Sequence, residues 1–192
     1  MAAPRLSIAE ALERWAQASR VYAARAEAQR SEVTTRFPLE AWPTMRVEDY
    51  ALGVGNPETF CRWMEFKTQD CGGIGGGSAK KHLIFRRASG EWYFQKKYAS
   101  LDTAWTAVRD GFVSAFDLAA SDKVLDIEGV EPLSQAPSLS GKAVYMYFPD
   151  RTLPIYGHPA QEHFWRLLSG TGNIRMGAPG ARQLLDLARS RP

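Results

Sequence analysis

The chain has 192 residues, with 24 Lys+Arg against 21 Asp+Glu, a net charge of +3, and 45% apolar and 23% charged residues. That length suits one domain, and that composition excludes a disordered chain, a collagen-like repeat and a charged tail. No apolar run approaches the ~18 residues of a membrane span, Met1–Arg5 opens no signal-peptide stretch, and two cysteines, Cys61 and Cys71, make no disulfide framework, so a cytoplasmic protein with free thiols is expected.

The first predicted element is a helix over residues 7–31. Ser7 with Glu10 forms a capping box, and Ile8, Leu12, Trp15, Ser19 and Tyr22 recur at helical spacing. Beyond Tyr22 the stretch Ala23–Arg30 has high helix propensity but little apolar face, so that end is expected to run out into solvent. Pro38 and Pro43 limit the next segment to short helical turns around Leu39–Trp42 and Met45–Leu52, and Gly53–Pro57 punctuates the chain. In Thr59–Thr68, Met64 and Phe66 alternate with Trp63, Glu65 and Lys67, a period of two that predicts a half-buried strand. Five glycines in six residues follow, Gly72–Gly77, and then Ser78. Lys81–Arg87 and Glu91–Tyr98 flank Ala88-Ser89-Gly90, a hairpin signal with a left-handed residue at Gly90.

Asp102 is placed to cap a helix to Ala119, with Trp105, Val108, Phe112, Phe116 and Ala119 as its stripe. Residues 121–141 read as a connection, Ala143–Phe148 as a short strand and Leu153–Tyr156 as another. Pro159 begins a helix to Leu168 that stops at Gly170. The elements add up to an α+β fold, a curved and mainly antiparallel sheet of four to five strands with helices packed around it. Residues 1–170 form the expected domain. Residues 171–192 read as a Gly-rich linker and the start of a helix.

Charge is uneven along the chain. Residues 62–98 carry eight basic side chains (Arg62, Lys67, Lys80, Lys81, Arg86, Arg87, Lys96, Lys97) against Glu65, Asp70 and Glu91. That segment therefore holds +5 and the remainder −2. Such clustering is the footprint of a polyanion site, although paired cations also solvate strand edges. On the polyanion reading, Lys67, Ser78, Lys80, Lys81, Arg86, Arg87, Lys96 and Lys97 contact phosphates, and Gly75 and Gly76 let backbone approach the nucleic acid. Trp63, Glu65 and Tyr93 are the candidates for a pocket around an extruded base, with a carboxylate to accept from cytosine N4. The same two aromatics serve equally as core edges. The glycine run is neither a Walker A loop nor a GxGxxG fingerprint, so no nucleotide cofactor is expected. Asp49 upstream of Glu65-Phe66-Lys67 leaves a Mg²⁺-dependent nuclease open, with two carboxylates holding metal and Lys67 assisting the water. An RNA-binding module is the other alternative.

The run Phe60-Cys-Arg-Trp-Met-Glu-Phe-Lys-Thr68 with Ile74-Gly-Gly-Gly-Ser-Ala-Lys-Lys81 resembles the N-terminal regions of McrB-like AAA+ restriction proteins. So do Trp92-Tyr-Phe94, Trp105–Phe116, Tyr145–Tyr156 and His163–Leu168, and the likeness covers residues 35–170. The resemblance implies a non-catalytic target-recognition domain for duplex DNA carrying methylated cytosine, read by base flipping. It further implies an AAA+ motor domain in the same polypeptide, a separate nuclease subunit as partner, and a role in defence against foreign DNA.

Overall fold

In the computed structural model, residues 8–169 and 172–190 are described. The Ser7 cap, Gly170 and the last two residues lie outside them. Among the described residues no helix is long and apolar enough to cross a membrane.

Helix α1 (Ile8–Arg36) is 29 residues long, or ~44 Å at 1.5 Å per residue. Its C-terminal half packs on the body of the protein. Val33 is fully buried, Ala26 lies against the core, and Gln29 and Arg25 hold the Asp70 carboxylate at 2.8 and 2.7 Å. The stretch expected to enter solvent does so on most of its surface, with Ala23, Ala24, Arg25, Glu27 and Ala28 exposed, but one face meets the body: Ala26, Gln29 and Arg30 are half-buried, and the Cys71 thiol comes within 3.2 Å of the Ala26 carbonyl. Val21 and Tyr22 are exposed as well.

A 3₁₀ turn at Leu39–Thr44 and α2 (Val47–Tyr50) carry Trp42 and Tyr50 into the centre. The Trp42 ring meets Phe60, Phe112 and Phe116 at centroid separations of 4.9–5.1 Å. Its indole N–H donates to the Tyr147 hydroxyl (2.9 Å), which donates to the Phe37 carbonyl (2.5 Å). Buried polar atoms on the aromatics are thereby satisfied. Helix α4 (Leu101–Ala120) buries the predicted stripe. Its cap is Ser100 rather than Asp102, in a reciprocal box with Thr103.

The expected sheet is not there. The described residues are mostly helical, with one small mixed sheet of three strands. β1 (Leu52–Gly53) pairs in parallel with β2 (Phe85–Arg86), and β2 pairs antiparallel with β3 (Trp92–Tyr93), setting Phe85 opposite Tyr93 and Arg86 opposite Trp92. Only the hairpin survives from the predicted strands.

The segment Thr59–Thr68 forms α3 (Phe60–Arg62), which widens into a π turn at Trp63–Lys67. Thr59 caps it by accepting from the Arg62 N–H, and the Thr68 hydroxyl closes it onto the Trp63 carbonyl (2.9 Å). Phe60, Cys61, Trp63 and Met64 are buried, an i, i+1, i+3, i+4 pattern that belongs to a helix. The period-two alternation that suggested a strand fails at Phe66, which is 53% exposed.

Ala143–Phe148 belongs mostly to α5 (Pro137–Tyr147), opened by a proline in its first turn. Seven residues of α5 are buried, so it lacks the polar face by which a helix is recognised. Leu153–Tyr156 is irregular. α6 (His158–Ser169) matches the expected helix. The Gly-rich stretch leads into a helix, as expected; this α7 (Ala178–Arg189) buries Ala178, Pro179, Gly180, Ala181 and Leu184 and packs on α5, α6 and the turn Val124–Gly129.

Candidate nucleic-acid interface

The glycine loop is anchored at its base and exposed at its tip. At the base, Gly72 has φ +83°, and a Cβ there would lie 2.5 Å from the Pro154 carbonyl oxygen. The Lys142 ammonium donates to the carbonyls of Thr68 (2.8 Å) and Gly72 (2.6 Å), and the Tyr156 hydroxyl donates to that of Cys71 (2.6 Å). At the tip, Gly75, Gly76 and Gly77 are exposed and a Cβ on any of them meets nothing within 4 Å. The loop returns through Ser78, whose hydroxyl caps the turn Ala79–His82 by accepting from the Lys80 N–H (3.2 Å).

That turn delivers Lys81 and His82 to Glu65. The carboxylate is 7% exposed and accepts from Lys81 Nζ (2.5 Å) and His82 Nε2 (2.7 Å). Burial opposes the charge of Glu65, but the hydrogen bonds and charges of Lys81 and His82 together hold its carboxyl below the usual carboxylate range. Burial also pushes His82 below 6.5, against the pull of Glu65. His82 is therefore neutral at pH 7 and donates through Nε2, which leaves Nδ1 as a buried acceptor with no protein partner. Lys81 also donates to the Gly76 carbonyl (2.7 Å), and the Tyr50 hydroxyl donates to that of His82 (2.8 Å).

These contacts reassign several expected site residues. Glu65 and Lys81 are internal struts. Trp63 is 8% exposed, gives its indole N–H to Glu58 (3.1 Å) and lies under the Lys67 ammonium (4.7 Å) and the Arg36 guanidinium (5.4 Å). Lys67 itself is salt-bridged to Glu58 (2.6 Å), and Lys97 to Glu131 (3.3 Å). Of the three candidates for a base pocket, Trp63 and Glu65 are thus buried against partners of this chain. Tyr93 stacks on Phe85 across the hairpin (4.5 Å, 23°), with Lys80 and Arg87 over its ring at 5.9 and 5.7 Å. Of the two nuclease carboxylates, Asp49 pairs with Arg46 (3.0 Å) and Glu65 with Lys81 and His82; no group of three or more His, Cys, Asp or Glu among the described residues is placed to hold a metal.

The free cations of residues 62–98 lie around the hairpin. Arg62, Lys80, Arg86 and Lys96 have no carboxylate within 4.0 Å among the described residues, and Arg87 reaches Glu91 only at 3.9 Å. Beside the hairpin runs a shallow groove of about 380 Å³, lined by Leu52, Gly53, Val54, Arg62, Phe66, Arg86 and Ala88. In it the exposed Phe66 ring lies under the Arg62 guanidinium (5.3 Å). Arg86 is oriented by the Gly90 carbonyl (2.8 Å) and sits 5.7 Å from the Trp92 ring. Arg62 and Phe66 were not singled out in the sequence as binding residues. Read as a helix, their i, i+4 spacing puts a guanidinium over an aromatic on one exposed face.

Compared with protein-family models, curated proteins and solved structures, the chain matches none.

Proposed function

We propose that this chain is a non-catalytic DNA-binding domain that supplies target recognition, as its resemblance to the N-terminal regions of McrB-like restriction proteins implies. The observation that carries the reading is the groove beside the hairpin, where unpaired cations (Arg62, Arg86) flank an exposed aromatic (Phe66), with Arg87 and Tyr93 on the same hairpin and Lys80, from the preceding turn, over the Tyr93 ring. Phosphate contact comes from Arg62, Lys80, Arg86 and Arg87. Lys67, Lys81 and Lys97 are paired with carboxylates of this chain, Glu58, Glu65 and Glu131. Phe66 offers a stacking face for a base, and such stacking is worth ~1–3 kcal/mol. Modified cytosine drawn out of the duplex is the target class the resemblance names, and extrusion costs a few kcal/mol that stacking offsets in part.

Fluorescence anisotropy tests this with methylated duplex, plain duplex, single strands and hairpin RNA, each with and without Mg²⁺. Four phosphate contacts predict a log–log salt slope of about −3.6 for duplex DNA. A slope shallower than about −2, or tighter binding of RNA than of either duplex, refutes the assignment. Cleavage in the Mg²⁺ arm would favour the nuclease.

A further inference from the structure

Lys142 is the one lysine that is completely buried, and no carboxylate lies within 4.0 Å of it among the described residues. Its ammonium is held only by two carbonyls, those of Thr68 and Gly72, which stand at the two ends of the turn from which the glycine loop rises. We propose that Lys142 is a positioning residue for the glycine loop, tying the loop's root to α5 and setting how readily that root opens. Its role in binding rests on the nucleic-acid reading above; its role as a tie does not.

A buried ammonium satisfied by dipoles alone pays for its desolvation. Burial lowers the Lys142 pKa from 10.5 to about 8, with the neighbouring Cys71 thiol acting in the opposite sense. Opening the root returns the ammonium to water, where it keeps its proton up to the ordinary value. The open state therefore binds more proton between those two pH values, and raising pH through that window favours the closed root. The closed root gains about tenfold between pH 7 and pH 9 from this difference. The other titratable groups around Cys71 and Lys142 are Tyr145 and Tyr156, with Asp70 and, on α1, Arg30 and Glu27 beyond them. Burial raises Cys71, Tyr145 and Tyr156 above their ordinary values, so all three are mainly neutral up to pH 9. Ionisation of Cys71 above pH 9 would oppose the effect, which sets the upper limit of the test.

The amides of Cys71 and Gly72 are hydrogen-bonded across the root, to the carbonyls of Thr68 and Gln69 at 3.2 and 3.1 Å, and they report its opening. Millisecond hydrogen exchange on the full chain, corrected for intrinsic rates, is expected to show their protection rising about tenfold from pH 7 to pH 9. A flat wild-type profile overturns the tie, even if no variant folds. In Lys142→Met the rise is expected to vanish, and persistence of the same rise there also overturns it. Duplex affinity of Lys142→Met is expected to fall at least fivefold with the salt slope unchanged. A slope shallower by about one unit would make Lys142 a phosphate contact rather than a positioning residue, and an unchanged affinity would remove it from binding. Failure of the wild type to bind duplex overturns the nucleic-acid reading, whereas the exchange profile decides the tie separately.

Discussion

Glu65→Gln isolates the carboxylate on which the return of the glycine loop depends. Glutamine keeps the volume of Glu65 but not its charge. In the wild type the carboxylate accepts from Lys81 (2.5 Å) and His82 (2.7 Å), with the Lys81 side chain 17% exposed and His82 fully buried. The amide oxygen can serve one of these donors, while the amide N–H₂ faces the other donor-to-donor. Breaking a buried ion pair by removing one partner costs ~3–5 kcal/mol, and the amide recovers part of one bond, so the expected loss is about 3 kcal/mol. For a chain of this length that lowers Tm by about 6–12 °C. Urea denaturation should show a lower midpoint at unchanged m. The pH dependence follows from the directions of the two shifts. Burial holds His82 neutral below 6.5, so acidification below that value destabilises the folded wild type, and destabilises the variant more, since it lacks the countering carboxylate. The gap between the two therefore widens below pH 6.5. It closes again below about pH 4.5, as Glu65, held low in the fold by Lys81 and His82 against burial, takes up its proton. A loss under about 1 kcal/mol at pH 7, or a gap independent of pH, would refute this account of the site.

Three further outcomes are expected. Arg86→Ala should make the salt slope of duplex binding shallower by about one unit, while Lys97→Ala, already neutralised by Glu131 at 3.3 Å, should leave it unchanged; equal effects would dissolve the distinction between free and committed cations. Gly72→Ala, with φ +83° and a Cβ 2.5 Å from the Pro154 oxygen, should cost at least about 2 kcal/mol, against about 1 kcal/mol for Gly76→Ala, which shares the φ but has open space around it. Thermal melts of the two variants compare them, and equal losses would show that the close approach to Pro154 does not matter. Cys61 is fully buried and burial pushes its thiol pKa far up, so in native buffer at pH 8 it should resist an aromatic disulfide reagent until urea is added; rapid labelling would place it at an accessible surface.

The parts of the fold legible in the sequence are those whose pattern is amphipathic in one period. Trp105, Val108, Phe112, Phe116 and Ala119 recur at three and four residues, and α4 buries all five. The hairpin around Ala88-Ser89-Gly90 declares itself by its turn residues, and Gly90 has φ +89°. Alternation over Trp63–Lys67 misleads because a π turn winds more residues per turn than an α-helix, so three residues in succession are buried there and the helical spacing breaks. α5 misleads for the opposite reason. Even Lys142 and Ser140 are inside it, and an element surrounded by protein shows no period at all. No count of apolar residues reveals that Lys142 is internal, since its two acceptors are backbone carbonyls 74 and 70 positions away.

The candidate site was legible in charge but not in the fate of each charge. The excess over residues 62–98 is real, yet a cation contributes to an external field only when no carboxylate is near enough to neutralise it. Lys81 cannot serve phosphate and Glu65 at once, and with both largely out of water the internal pair is the stronger claim on it. Lys67 and Lys97 are drawn to Glu58, upstream of the segment, and Glu131, downstream of it, so counting acids within the segment missed both partners. What is left in the segment is Arg62 on α3, Lys80 after the loop, Arg86 on β2 and Lys96 beyond β3, with Arg87 held only loosely, 3.9 Å from Glu91. A short parallel pairing of β1 with β2 brings the first of these to the third across an exposed phenylalanine. Two-residue strands would be a weak device for stability. Their effect here is to fix the spacing of two guanidinium groups on either side of an aromatic ring.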